Sequence, residues 1–240
     1  MKVFYFKEVN STMDIACNLA EKGVPEGSIV LADIQKEGRG RKGKKWYSPE
    51  GGLWFTIILY PKLKKEELTF LPILVGVSIL QGLEPFLSIS LNLKWPNDLE
   101  LNGEKVGGIL IESRWENNIL KYVNVGIGIN LMISPEFFKD KDFKATSLLP
   151  YLKEKNKFVI LENLYKKIME NYKNFPNNIE SIYNYYLQKF PYIGKEVFLI
   201  SSGSSQKIVK IVNISRDGSL LVEEDGEIKN YNWGVISVRT

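Results

Sequence analysis

Histidine is absent from the 240-residue sequence, and cysteine occurs once, at Cys17. Those two shortages remove a block of chemistry. A Ser–His–Asp or Cys–His catalytic arrangement cannot be built. Nor can a zinc site made of histidine and cysteine, and no disulfide can form within the chain. Cys17 falls in a helical pattern with Ile15, Ala16 and Leu19, where a small buried thiol is expected. Acid–base work is left to Lys, Asp, Glu or Tyr. A metal would need oxygen ligands, which suits Mg2+ brought by a nucleotide. Charge of one sign is also scarce. The net charge of +4 is too small to demand a nucleic-acid partner. No run of apolar residues long enough to span a bilayer is expected. The start, Met1–Lys2–Val3–Phe4, enters a strand-like pattern without a signal-peptide signature. An intracellular, cytoplasmic protein with no membrane partner is expected. The apolar content of 44% is that of a soluble globular chain. The length suits one large domain, or a domain with a small companion.

What the sequence does have is a concentrated cationic loop. Between Lys36 and Lys45 there are six cationic side chains, one acid and three glycines, and Trp46 follows. The apolar runs on either side, Ile29 to Ile34 and Leu53 to Tyr60, read as strands. A loop this polar cannot offset its ordering entropy by burying apolar surface, so it is expected to be mobile. Its glycines permit positive φ and close approach to a ligand. Its arginines offer forked donors for phosphate or carboxylate. These are the parts of a flap that orders over an anionic, ring-bearing ligand. Solvated surface, or a patch touching nucleic acid, is the alternative for such a loop.

Along the chain, Lys2 to Val9 reads as a strand. Ser11 then caps a helix that Gly23 and Pro25 end. Strands follow at Ser28 to Gln35 and Gly52 to Tyr60. The longest helical candidate is Glu66 to Leu83, with Pro72 suited to its first turn. Leu91 to Trp95 reads as a short strand stopped by Pro96. Leu99 to Val106 reads as a hairpin turning at Asn102–Gly103, and strands continue through Gly107–Ser113 and Leu120–Met132. Leu161 to Phe175 and Ile179 to Phe190 read as amphipathic helices. From Lys195 onward, short strands alternate with turns at Ser201–Ser205, Arg216–Gly218 and Glu224–Gly226. That stretch of about fifty residues is at the lower limit of independent folding. The domains expected are 1–190 and 191–240.

A second cluster lies mid-chain. Lys94–Trp95–Pro96–Asn97–Asp98 places an amide and a carboxylate at a strand end. Lys105 then precedes Val106–Gly107–Gly108–Ile109–Leu110. A lysine between apolar neighbours is costly unless it meets an anion. Gly126–Ile127–Gly128–Ile129–Asn130 adds another close-approach segment. It lacks the third glycine and helix of a dinucleotide loop. Read singly, these could be a turn, a solvated hairpin lysine and a tightly packed strand.

Together and in this order, the motifs resemble those of the biotin–protein ligases. The family's flap corresponds to Gly38 through Trp46, its KWPND to Lys94 through Asp98, its lysine before G-G-I-L to Lys105, and its GIGIN to Gly126 through Asn130. Its early Ser–Thr is Ser11–Thr12 and its strand-end glutamine is Gln35. The sequence departs from the family at Met13, where asparagine is common, and at Lys44, where arginine is frequent. The resemblance covers the region to about Met132 and the C-terminal β region.

The resemblance implies an α+β fold like that of class II synthetases: a mixed, mostly antiparallel sheet flanked by helices, with a small C-terminal SH3-like β-barrel. It implies that ATP activates biotin to biotinoyl-5'-AMP, with Mg2+. A lysine of a biotin carboxyl carrier protein, a subunit of acetyl-CoA carboxylase, then takes the biotin. Lys105, Arg41 and Asp98 would be catalytic. Ser11, Thr12, Gln35, Gly38, Arg39, Gly40, Arg41 and Lys105 would bind biotin. Arg39, Arg41, Trp46, Asn97, Lys105 and Asn130 would bind ATP or the adenylate. A homodimer is expected by the same resemblance. Some relatives carry an N-terminal repressor domain; this chain starts at the core, so no DNA binding is expected. A lipoate–protein ligase is the nearest alternative, and a nucleic-acid-binding module a more distant one.

Overall fold

A computed structural model describes residues 1–64, 67–141, 143–201, 206–232 and 236–239. Its first element is the strand β1 (Val3–Val9), followed by helix α1 (Thr12–Glu21) and strand β2 (Ser28–Gln35). The Ser11 side chain accepts a hydrogen bond from Met13 N and caps α1, as expected. The chain crosses over α1 so that β1 and β2 run parallel. All other pairings in the large sheet are antiparallel: β3 (Leu53–Leu59), β4 (Asn92–Lys94), β5 (Asp98–Leu101), β6 (Glu104–Glu116) and β7 (Ile119–Ile129). The strand order is β1-β2-β3-β7-β6-β5-β4. The mixed, mostly antiparallel sheet expected from the sequence is therefore present.

β3 is buried along its whole length. Phe55, Ile57 and Leu59 face the main core, while Ile58 packs with Ala16, Ala20 and Val30 beneath α1. A strand covered on both faces has no polar alternation, which explains the unbroken run Leu-Trp-Phe-Thr-Ile-Ile-Leu.

Helix α2 (Leu71–Leu83) lies against the main-core face, with α3 (Lys157–Asn174) and α4 (Ile179–Gln188) packed against it. Pro72 falls in its first turn, and a short 3-10 turn, Glu67–Phe70, precedes it. The helical stretch Glu67–Phe86 is long and apolar enough to cross a bilayer by length and composition, contrary to expectation. It is 78% buried, however, and serves as the core helix. α3 starts earlier than expected, because Asn156 caps it by accepting from Phe158 N.

The C-terminal strands β8 (Glu196–Ser201), β9 (Gln206–Ile214), β10 (Leu220–Glu224), β11 (Glu227–Tyr231) and β12 (Ile236–Arg239) form an antiparallel sheet. Its order is β11-β10-β9-β8-β12, with no ladder joining β11 to β12 among the described residues. Most of the turn expected at Ser201–Ser205 lies outside the described residues. The small sheet is fastened to the rest of the molecule near the end of β4. The Trp95 indole N–H donates to Gly218 O at 2.9 Å, and Tyr183 OH donates to Ile214 O at 2.7 Å. The buried Glu100 carboxylate accepts from Tyr192 OH and pairs with Lys94.

Candidate active site

The loop Lys36–Trp46 folds into a tight hairpin. Trp46 N donates to Gly38 O and Gly40 N to Lys44 O, around a single 3-10 turn at Arg41–Gly43. A side chain at Gly38 would place its Cβ 2.5 Å from Trp46 O and 2.7 Å from Ser48 Oγ. Only glycine fits there. Gly38 is thus part of the hairpin's own packing, and unlike Gly40 it does not line the cavity described next.

That cavity, of about 350 Å3, lies between the hairpin, the start of α1 and the centre of the large sheet. Ser11, Thr12 and Gln35 line it, and so do Arg39, Gly40, Arg41 and Trp46 from the hairpin. The far motifs reach the same space: Asn97 and Asp98 from the start of β5, Lys105 from β6, and Asn130 just after β7. The sequence motifs therefore converge on one site.

Two hydrogen-bonded groups organise it. In the first, Thr12 donates twice to Gln35 Oε1, from its backbone N–H at 2.9 Å and its hydroxyl at 3.0 Å. Gln35 Nε2 donates to Ser48 Oγ at 2.8 Å. Arg39 belongs here. Its guanidinium forks onto Glu112 at 3.1 and 3.0 Å and reaches Asp14 at 2.6 Å and Ser11 Oγ at 3.2 Å. Hydrogen bonding to Glu112 above all, with Asp14 beside it, raises its already high pKa.

In the second group, Arg41 donates to Asn97 Oδ1 at 3.2 Å, and Asn97 donates back to Ile109 O at 2.6 Å. Burial lowers the Arg41 pKa, and the Asp98 charge opposes that shift. Lys105 Nζ lies 2.6 Å from Asp98 Oδ1 and 5.0 Å from the centroid of the Trp46 ring. The Trp46 indole rests on the glycine floor of the sheet: a Cβ at Gly128 would stand 2.6 Å from its Nε1. That N–H is buried and has no hydrogen-bond partner. Asn130 is spent on scaffolding, donating to Thr146 O and, at 3.4 Å, to Lys105 O.

Part of the wall had no sequence signal. After β7 the chain passes a 3-10 turn at Pro135–Phe138 and runs back beside Lys105, with a parallel bridge between Lys105 and Ala145. This brings Phe138, Phe143 and Lys144 to the cavity. Met13 also lines it, its sulfur packed over Gly126. Among the described residues, no cluster of three or more His, Cys, Asp or Glu is disposed to hold a metal ion.

The site's chemistry is cationic, with a neutral polar patch and an aromatic wall. Residues 5–130 match the model of the biotin/lipoate A/B protein ligase family. A biotin protein ligase from Aquifex aeolicus, solved with biotin and ATP, is 34% identical with a TM-score of 0.81, covering 99% of this chain and 98% of that one. The bifunctional ligase/repressor BirA of Bacillus subtilis is 41% identical over 149 residues, which are 61% of this chain and 46% of that protein. A biotin–[acetyl-CoA-carboxylase] ligase of Paracoccus denitrificans is 40% identical over 130 residues, 53% of each. The chain thus spans about half the length of these two curated relatives. The matched span includes the hairpin, the β4–β5 turn, Lys105 and the glycine floor, and the chain belongs to the biotin/lipoate A/B protein ligase family.

Proposed function

We propose that this chain is a biotin–protein ligase. It activates biotin with ATP as an acyl-adenylate and passes the acyl group to a lysine of a biotin carboxyl carrier protein. The observation that carries the reading is the single cavity shared by Arg41, Lys105 and the Ser11–Thr12–Gln35 patch.

Biotin's carboxylate and the triphosphate of ATP repel each other, so their reaction needs fixed cations. Lys105 is suited to bridge the two, stabilising charge as the carboxylate attacks the α-phosphate and pyrophosphate leaves. Arg41 is suited to hold the phosphate. Burial disfavours its charged form, so an anionic ligand restores what burial takes away. Asn97 keeps it aimed. Trp46 forms an apolar wall for a ring. In the second step the carrier amine attacks the acyl carbon and AMP departs. Among the described residues Asp98 is the one carboxylate in the lining, and it is assigned the amine's proton. With Asp98 already beside Lys105, the described residues of the lining do not cage a divalent ion. Mg2+ would enter on the triphosphate and offset the charge of the leaving pyrophosphate.

The neutral patch favours biotin over lipoate, because a ureido ring can use hydrogen bonds that a dithiolane cannot. The test is ATP–pyrophosphate exchange with each acid, alongside a biotin titration of thermal stability with and without ATP. Exchange with biotin alone supports the reading. Exchange with lipoate alone replaces it, and exchange with neither refutes both.

A further inference from the structure

We propose that Arg39 is a positioning residue, held by Asp14 and Glu112 so that the Ser11 hydroxyl can only donate into the cavity. This inference rests on the biotin-ligase reading and refines how the ring end is chosen.

Arg39 carries five N–H groups. Four are committed to protein acceptors: two to Glu112, one to Asp14 and one to Ser11 Oγ. One cation set against two carboxylates leaves a net negative cluster, which repels a further anion. Arg39 is therefore poorly placed to bind a carboxylate or phosphate, although its neighbour Arg41 is well placed. Neither Asp14 nor Glu112 lines the cavity. They are anchors on α1 and β6 that hold the base of the hairpin between them.

The effect on Ser11 follows from counting. A serine hydroxyl has two lone pairs and one hydrogen. Both lone pairs are taken, by Met13 N–H at 3.3 Å and by Arg39 Nη1 at 3.2 Å. Neither donor can reverse its role. The hydroxyl hydrogen is left over, on a residue only 2% exposed that lines the cavity. Thr12 cannot compete, since its hydroxyl donates to Gln35 and accepts from Thr56 at 2.9 Å. Gln35 is fixed too: the Thr12 backbone N–H can only donate, so the Gln35 oxygen must face it, leaving one Nε2 hydrogen unused. The patch thus presents donors and selects a ring bearing an acceptor carbonyl. That describes a cyclic urea, and not a dithiolane.

The experiment uses the full chain with Glu112→Gln, Asp14→Asn, Arg39→Lys, Ser11→Ala and the double variant Ser11→Ala/Glu112→Gln. Calorimetry with biotin alone gives Kd, and pyrophosphate exchange gives KM for ATP and kcat. Side chains 53% and 37% exposed at Asp14 and Glu112 can be changed without opening the core, and melting checks that each variant stays folded. Glu112→Gln should weaken biotin binding about tenfold, the size of one charge-assisted hydrogen bond. KM for ATP and saturating kcat should stay within about twofold. Arg39→Lys, which keeps the charge and loses the fork, should weaken biotin binding by a similar factor. The double variant should bind biotin no worse than Ser11→Ala alone, because both act on one hydroxyl. Additive losses, an altered ATP KM, or wild-type biotin affinity in Glu112→Gln would overturn the positioning role. A wild-type protein that neither binds biotin nor exchanges pyrophosphate overturns the functional reading instead.

Discussion

Lys105 and Asp98 meet at 2.6 Å in the cavity wall, one from β6 and one from the start of β5. The pair joins the cation proposed to bridge carboxylate and phosphate to the carboxylate proposed to take the amine's proton. It also makes the two residues separable by experiment, since each is assigned to a different half-reaction.

Lys105→Ala should abolish adenylate formation while the fold survives. The loss expected is on the order of a hundredfold or more, as for removal of one fixed transition-state donor. Pyrophosphate exchange and thermal melting measure the two parts. Normal exchange would remove Lys105 from the chemistry.

Asp98→Asn should slow transfer to the carrier lysine more than it slows adenylate formation. Single-turnover transfer from preformed biotinoyl-AMP isolates that step. Equal slowing of both steps would leave Asp98 as a holder of Lys105 and nothing more.

Gly128→Ala tests the wall made by Trp46. The added Cβ would stand 2.6 Å from the indole nitrogen, whereas one at Gly108 would lie 3.2 Å from the ring. The Gly128 variant should displace Trp46 and raise KM about tenfold or more, with Gly108→Ala milder, since overpacking grows steeply with overlap. Wild-type KM values in Gly128→Ala would mean that the indole takes no part in binding.

A pH test concerns the small sheet. Glu224 accepts from Lys207 and Tyr231, and these bonds, with Lys229 nearby, pull its pKa from 4.5 down to about 2. A carboxylate whose pKa is depressed by folding stabilises above its unfolded value. That contribution is lost as pH falls from about 4.5 towards 2. Glu224→Gln should therefore melt at a temperature that changes less between pH 6 and pH 3 than that of the wild type. An unchanged pH dependence would mean that these bonds do not contribute to stability.

Much of the site was legible because its residues sit in short motifs at strand ends. Local spacing and turn chemistry singled out the hairpin, the Lys94–Asp98 turn, Lys105 and the glycine floor, but read singly they stayed ambiguous, and only the resemblance to a known family implied that they meet in one site. Their convergence depends on the strand order β3-β7-β6-β5, which brings distant segments side by side. Arg39 shows the same limit. As a sequence it is an arginine among glycines; its engagement depends on Asp14 and Glu112, which fold next to it from a helix and a strand far away. The wall residues Phe138, Phe143, Lys144 and Ala145 escaped notice for another reason. Their segment has no regular periodicity, and its place is set by backbone bonds to Lys105 rather than by a pattern of its own.

Among the described residues, every one that lines the cavity precedes Thr146, yet the indole of Trp95 is tied to the carbonyl of Gly218. A version of this protein cut short after α4 would retain all the described residues of the cavity lining. It would leave a large aromatic side chain, at the hinge of the Asn97–Asp98 turn, with its N–H stranded. The distal sheet is in that sense a remote abutment for the reaction site, and shortening the chain there trades alignment for size.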